Sequence, residues 1–349
     1  MKVHVMTGSA PLHDFQRLAR AAADAGFSGL VVTEGGRTAY LACAAAALTG
    51  ADLDLATGVA VAFPRSPMVT AAAAWELADV SGGRFRLGLG TQVRAHVERR
   101  YSSTFDPPGP RLREYVLALR AIFRAFRGDA PLDFAGTYYS FSLLPAMWLP
   151  GSIAVPDPPI DIAAVNPWMV RTAGELADGA HVHPLNTPTY YRETLLPNLA
   201  AGAERAGRDP AELAVFVPVF TVVGNTDEER ARWRETSRSM IAFYGSTPNY
   251  AFVFEQVGFP GTTERLRAAQ KAGDTAGMAR VIDDDLLAHF VVEGTWDELP
   301  ERIVERCRAL DGHPVNVVLY LAGMAERSGD GTFERFGAAA RRVVELTGG

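Results

Sequence analysis

Cysteine is nearly absent: Cys43 and Cys307 are the two thiols in 349 residues. They fall in separate helical patterns, so neither a disulfide framework nor a thiolate metal site is expected. Both read as buried, reduced thiols. A basic stripe is also missing. The 34 basic residues are scattered and the formal net charge is −6, which argues against nucleic-acid binding. The sequence enters a short strand at Lys2–Met6 with no signal peptide, membrane span or lipidation motif, so a soluble cytoplasmic protein is the expectation. The string G-x-S-x-G, a Walker A loop and H-E-x-x-H do not occur. Asp283, Asp284 and Asp285 lack the Gly and spaced Glu of an EF-hand loop and read as a solvated helix start. No metal site is expected.

An apolar fraction of 48% with 21% charged residues suits a globular enzyme with a substantial core. The most informative stretch is residues 52–90. Asp54–Ala62 is a β-branched and apolar run too short for a helix. Pro64 and Pro67 break it, and Pro67 opens an apolar helix through Val80. Ser81, Gly82 and Gly83 stop that helix before Arg84–Gly90 alternates as a strand. This β-α-β unit predicts parallel neighbours. Gly58 and Gly90 then lie near strand C-terminal ends, where such sheets bind ligands and where glycine lets a flat ring approach the backbone.

The same alternation runs along the chain. Further strands are predicted at Val3–Val5, Ser28–Thr33, Ile160–Val165, Gly179–His183, Leu213–Val223 and Val315–Leu321. Helices are predicted at Asp14–Ala25, Ala39–Leu48, Arg111–Phe126, from Pro167, at Tyr190–Ala206, 226–243, near 263–272 and 297–309, and at Phe333–Leu346. Eight strands alternating with helices predict a single (β/α)8 TIM-barrel domain over residues 1–349. An open doubly wound sheet is the alternative. It is disfavoured because no G-x-G-x-x-G turn follows the first strand. Two long segments interrupt the pattern. Residues 128–159 carry six of the 22 prolines and alternating aromatics, and read as a hairpin insertion over the C-terminal face. Residues 245–292 read as a second insertion serving as a lid or binding segment.

The pieces AAADAGFSGLVVTE (22–34), LATGVAVAFPRSP (55–67), SGGRFRLGLGT (81–91), REYVLALRAIF (113–123), PPIDIAAVNP (158–167) and IAFYGSTPNY (241–250) together resemble the luciferase-like monooxygenase superfamily. These are TIM-barrel flavin and deazaflavin enzymes. AFPRSP and IAFYGSTP are most similar to the coenzyme F420-dependent branch. The resemblance implies a non-prolyl cis peptide at Gly58-Val59, with Val59 and Ala60 forming a bulge behind the cofactor ring. A plain strand glycine is the alternative. It also implies that Glu34 and His96 orient the ring or handle a proton; a barrel ion pair and a surface histidine are their bland readings. Gly90 and Thr91 would border the ring.

For the cofactor phosphate, the resemblance points to Ala163, Ala164, Val165 and Asn166 ahead of the Pro167 helix, where helix N–H groups attract anions. His183 and Asn186 would form a second wall, joined by His289. Relatives carry Gly-Gly at Val165-Asn166, Lys at Asn186 and Arg at His289, so the phosphate cradle departs from the pattern here. The His and Glu of sugar-phosphate dehydrogenases correspond to Gly35 and Val93, which disfavours a sugar phosphate. Tyr40, Phe63, Tyr138, Trp148, Trp168 and Tyr244 are possible pocket walls.

The resulting expectation is an F420-dependent oxidoreductase moving hydride to or from a small-molecule substrate. FMN in a two-component monooxygenase is one alternative, and a non-catalytic partner barrel is another. A homodimer through the Ala-rich helices at 39–49 and 69–78 is expected.

Overall fold

The apolar runs close into one parallel barrel in the computed structural model, which describes residues 1–8, 10–321 and 330–348. Its strands are β1 (Lys2–Thr7), β2 (Gly29–Val32), β3 (Asp54–Thr57), β4 (Ala60–Val61) and β5 (Phe85–Gly90). A two-stranded hairpin follows, β6 (Phe134–Ala135) with β7 (Ser140–Phe141). The barrel resumes with β8 (Ile160–Ala163), β9 (Gly179–His181), β10 (Ala214–Val223), β11 (Val291–Gly294) and β12 (Val315–Leu319). The neighbours run β1-β2-β3-β5-β8-β9-β10-β12, and β12 pairs back with β1 to close the cylinder. This is the (β/α)8 architecture.

Helix boundaries follow ordinary signals. Leu12–Ala25 buries Phe15, Ala19, Ala22 and Ala25 and stops at Gly26, whose φ of 96° suits glycine. Pro67–Val80 starts with Pro67 in the first turn, capped by Ser66 Oγ, which accepts from the Val69 N–H. Cys43 and Cys307 are buried and unpaired, as expected.

Two element bounds need correction and the two insertions take definite form. The strand placed at Asp54–Ala62 divides into β3 and β4, separated by Gly58-Val59, whose peptide bond is cis. Residues 128–159 form a hairpin whose tip is tied to the first turns of Pro108–Arg127, where Arg111 lies over the rings of both Tyr138 and Phe63. The Glu114 carboxylate accepts from the N–H groups of Thr137, Tyr138 and Tyr139, while Arg127 donates to Ile153 O and Trp75 to Gly151 O. Residues 245–292 are largely helical (Ala251–Gln256, Thr262–Lys271, Thr275–Val281 and Asp284–Ala288). They lead into β11, a strand whose four residues were too few to stand out and which extends the free edge of β10. The helix placed at Tyr190–Ala206 contains a wide turn at Tyr191–Leu195.

Strand alternation sorts the barrel interior into layers. The lowest holds polar pairs: His4 Nε2 with Asn316 Oδ1 at 2.9 Å, and Arg86 with Asp161 through two bonds at 2.9 and 2.6 Å. Asp161 is fully buried, and burial pushes its carboxyl upward against the pull of Arg86. The middle layer packs Met6, Val31, Ala56, Phe216 and Val318. His181 stacks on Phe216 there, ring centres 4.3 Å apart and nearly parallel. Gly88 makes that possible, because a side-chain carbon on it would lie 2.7 Å from His181 Nε2 and 1.9 Å from Thr57 O.

The buried ion pair gives the first prediction. Replacing Asp161 with Ala strands Arg86 in the interior and should cost roughly 3–5 kcal/mol in urea unfolding. A loss well under 1 kcal/mol would contradict the pairing.

Candidate functional site

The upper interior layer, at the strand C-terminal ends, is lopsided. Gly58, Gly90 and Ala163 line one half. Gly90 is close-packed: a side-chain carbon on it would lie 2.6 Å from Val59 Cγ2 and 3.4 Å from Ala163 Cβ. A carbon on Gly58 would meet Val31 Cγ1 at 2.1 Å. This half is built of small residues, with the side chains of Val31 and Val59 packed against the two glycines. The opposite half is aromatic. The His183 ring packs on Tyr250 at 4.1 Å and edge-on to Tyr244 at 4.8 Å. Tyr320, just beyond β12, bonds Tyr244 hydroxyl to hydroxyl at 2.8 Å and lies 4.9 Å from the ring of Phe220.

Glu34 follows β2 and is almost buried. Its carboxylate accepts from Val61 N–H at 2.7 Å and from both terminal nitrogens of Arg65, at 2.9 and 2.5 Å. Arg65 also donates to Val61 O and Thr38 Oγ1 and lies over the ring of Tyr40. The pair fastens β4 to the loop after β2.

His96 sits on an exposed helix, Arg94–Arg99, that the periodicity did not reveal. The segment carrying it, 91–107, crosses the rim on the glycine side. Arg100 donates to Gly35 O at 2.6 Å and Ser103 to Phe63 O at 2.8 Å. Arg94 forms two bonds to Asp106. Thr91 Oγ1 donates to the carbonyl of Gln92, whose φ of 58° turns the chain back over the rim.

The expected phosphate region is neutral. Asn166 is spent as a helix cap, accepting from Met169 N–H at 3.0 Å, and Tyr190 donates to Val165 O at 2.8 Å, fixing Ala164-Val165. Asn186 is buried and saturated. Its amide donates to the carbonyls of His183, Pro184 and Pro218, and its side-chain oxygen accepts from Tyr191. His289 is exposed, but Arg306 links it to Asn186, donating to His289 O at 2.8 Å and Asn186 O at 2.6 Å. So Ala163–Asn166, His183 and Asn186 are neighbours, and His289 joins them only through Arg306.

Of the six aromatics considered as walls, Tyr244 joins His183 and Tyr320. Tyr40 and Phe63 are buried, Trp148 is 72% exposed on the outer insertion, and Trp168 covers Gly109. Sequence reasoning missed Tyr320, Arg65 and Arg306. Tyr320 was accessible in principle, as the aromatic closing the eighth strand. Arg65 and Arg306 carry no local signal; only the fold brings them to Glu34 and Asn186. Among the described residues no group of three or more His, Cys, Asp or Glu could hold a metal, and no helix is long and apolar enough to cross a membrane.

A planar cofactor on this half would rest against small and aliphatic groups, Val59 and Ala163 beside Gly90 and Val31 beside Gly58. Its phosphate would meet backbone and neutral side chains, with Arg306 already committed to two carbonyls.

Comparison with known proteins gives the family and the fold. The model of the luciferase-like monooxygenase family matches residues 1–312. An uncharacterised protein of Mycobacterium tuberculosis is 38% identical over 311 residues, covering 87% of this chain and 90% of its own. The 5,10-methylenetetrahydromethanopterin reductase of Archaeoglobus fulgidus is 29% identical over 308 residues, covering 85% and 87%. Among solved structures, the coenzyme F420 dependent tetrahydromethanopterin reductase of Methanopyrus kandleri superposes with a TM-score of 0.78. It shares 20% identity, with 99% of each chain covered.

The stacked His181 gives a pH prediction. Burial lowers its pKa from 6.5 to about 3, so the unfolded chain binds a proton there that the folded chain does not. The stabilising contribution is complete above the unfolded value and is lost as pH falls from about 6.5 toward 3, at roughly 1.4 kcal/mol per pH unit. His181→Gln should flatten the stability profile between pH 6 and 4 by about one proton in urea titrations. An unchanged slope would show that His181 is protonated in the folded state.

Proposed function

The chain belongs to the luciferase-like monooxygenase family and is an oxidoreductase of that kind; on this premise we propose a coenzyme F420-dependent reductase or dehydrogenase acting on a small organic molecule. The observation that carries the reading is the divided barrel mouth. Small residues at Gly58, Gly90 and Ala163, with Val59 against Gly90, stand across from an aromatic wall of His183, Tyr244 and Tyr320. One half suits a flat ring and the other a substrate stacked or hydrogen-bonded beside it. Kinship with a methylenetetrahydromethanopterin reductase, and likeness of fold to an F420-dependent one, support the deazaflavin over FMN.

In this reading Gly58, Val59 and Ala60 stand behind the ring and Gly90 and Thr91 border it. Ala163, Ala164, Val165 and Asn166 contact the phosphate, Asn186 and His289 brace that wall from behind through Arg306, and His183 belongs to the aromatic half. Bound deazaflavin supplies or accepts hydride at a carbon, which disfavours oxygen chemistry. The protein's part is placement and proton handling. Glu34 acts through Arg65 and the Val61 N–H, holding β4 in position. His96, exposed on the rim helix, exchanges the coupled proton with solvent. The segment 91–107 limits water on the ring side.

Fluorescence titration of the purified protein with F420 and, separately, FMN tests this reading. Saturable micromolar binding of F420 with weaker FMN binding is expected, followed by turnover that is unaffected by removing oxygen. Preference for FMN with oxygen uptake would favour a monooxygenase, and binding of neither would favour a non-catalytic barrel.

The same reading includes a homodimer. Leu41, Leu48 and Val69 are 56%, 69% and 58% exposed on the neighbouring helices Ala39–Ala47 and Pro67–Val80 or at their ends. A second copy would cover this apolar face. Light scattering should give twice the chain mass, reduced to one chain by Leu41→Glu with Val69→Glu. A wild-type monomer at assay concentration would refute the dimer.

A further inference from the structure

The aromatic half of the mouth carries a specific proton inventory. Tyr244 lies near the end of the helix Asp227–Gly245, and Tyr320 directly follows β12. Their hydroxyls are 2.8 Å apart. Two hydroxyls hold two protons, and the mutual bond uses one, so one remains for a third group. Burial raises both phenols above their usual range, so they stay protonated at neutral pH and act as donors. His183 adds a second donor. Its Nδ1 accepts from the Leu185 N–H at 3.1 Å, which puts the ring proton on Nε2. Nε2 has no hydrogen-bond partner among the described residues. Removal from water keeps this ring neutral, with its pKa lowered to about 3.

Among the described residues the wall itself carries no charge. The His183 ring has Tyr244 and Tyr250 as its aromatic neighbours, and Tyr320 has Tyr244 and Phe220. Such a surface rewards a group that accepts hydrogen bonds, is uncharged and is flat. A carboxylate or phosphate would lose its water there without a cation to replace it.

We propose that His183, Tyr244 and Tyr320 form the substrate half of the site and recognise the oxygen of a conjugated carbonyl compound, an aryl or α,β-unsaturated aldehyde or ketone. The assignment rests on the reductase reading and names its substrate class. The conjugated plane lies against the His183 and Tyr250 rings, and its oxygen takes the outward proton of the tyrosine pair. With reduced deazaflavin bound as the hydride donor, hydride delivered to the carbonyl carbon would open the carbonyl π bond onto oxygen. That oxygen takes the proton the pair holds, giving an alcohol, and solvent restores the proton to the phenol. Tyr244 and Tyr320 are therefore catalytic residues in this account, with His183 as the second donor.

The test uses 4-(dimethylamino)cinnamaldehyde, whose absorption band moves to the red when its carbonyl oxygen accepts hydrogen bonds. It is added to the cofactor-free full chain. Wild type should bind it saturably with a red shift, and cyclohexanone should compete at least about tenfold less well than cinnamaldehyde. The double variant Tyr244→Phe with Tyr320→Phe should lose the shift and bind about tenfold more weakly, as expected for one lost hydrogen bond in a buried setting. Near-UV circular dichroism and F420 titration of the same variant check its fold. A wild type that binds without a shift, or a folded double variant that keeps it, would overturn the proposal. Equal competition by cyclohexanone would do the same. Because the probe is read without cofactor, a shift with no F420 binding would sink the F420 reading and leave the carbonyl-binding wall standing.

Discussion

A closed eight-stranded cylinder has to fill its own interior, and this chain fills it unevenly. The lower two layers are occupied: the Arg86–Asp161 and His4–Asn316 pairs below, and the His181–Phe216 stack among Met6, Val31, Ala56 and Val318 above them. Close packing there fixes the height of the floor. The layer above has small residues on one side and aromatic rings on the other. The proposed chemistry depends on that division, because a planar cofactor and a planar substrate need adjoining, differently furnished surfaces.

The loops serve the division through polar clamps more than through added apolar mass. Glu34 and Arg65 join the ends of β2 and β4. Arg100 and Ser103 bring 91–107 across the same side. Arg306 gathers two carbonyls from distant loops on the other side. The Glu34–Arg65 clamp places charge against charge at low exposure, where a hydrogen bond to charge is stronger than a neutral one. The consequence is a rim set by a few side chains, so function and stability share residues such as Glu34.

Much of the fold was legible in the sequence because its signals are local. Proline at helix starts, glycine at helix ends and alternating apolar runs identified the eight barrel strands and the β-α-β unit at 52–90. The glycine half of the mouth was legible for the same reason: Gly58 and Gly90 are read directly at strand ends. What escaped depends on distance in the chain. β11 has four residues and gains its identity only by lying on the edge of β10. Glu34 stood open between proton handling and a barrel ion pair until Arg65 was placed beside it, and Asn186 looked like a ligand until three carbonyls and Tyr191 were found around it. The insertion at 128–159 has the composition of a lid, and only the fold shows Glu114 and Arg127 fastening it to Pro108–Arg127.

The central claim is that the small-residue half of the mouth is where a flat redox cofactor rests. Ala163 lies at the top of β8 within that half, and its side chain can be enlarged into the opening. The most direct measurement is F420 affinity, by fluorescence, for wild type and Ala163→Phe, with thermal unfolding of both. The account predicts that the enlarged side chain abolishes binding while the unfolding temperature stays within a few degrees. Equal affinity in the two proteins would contradict it.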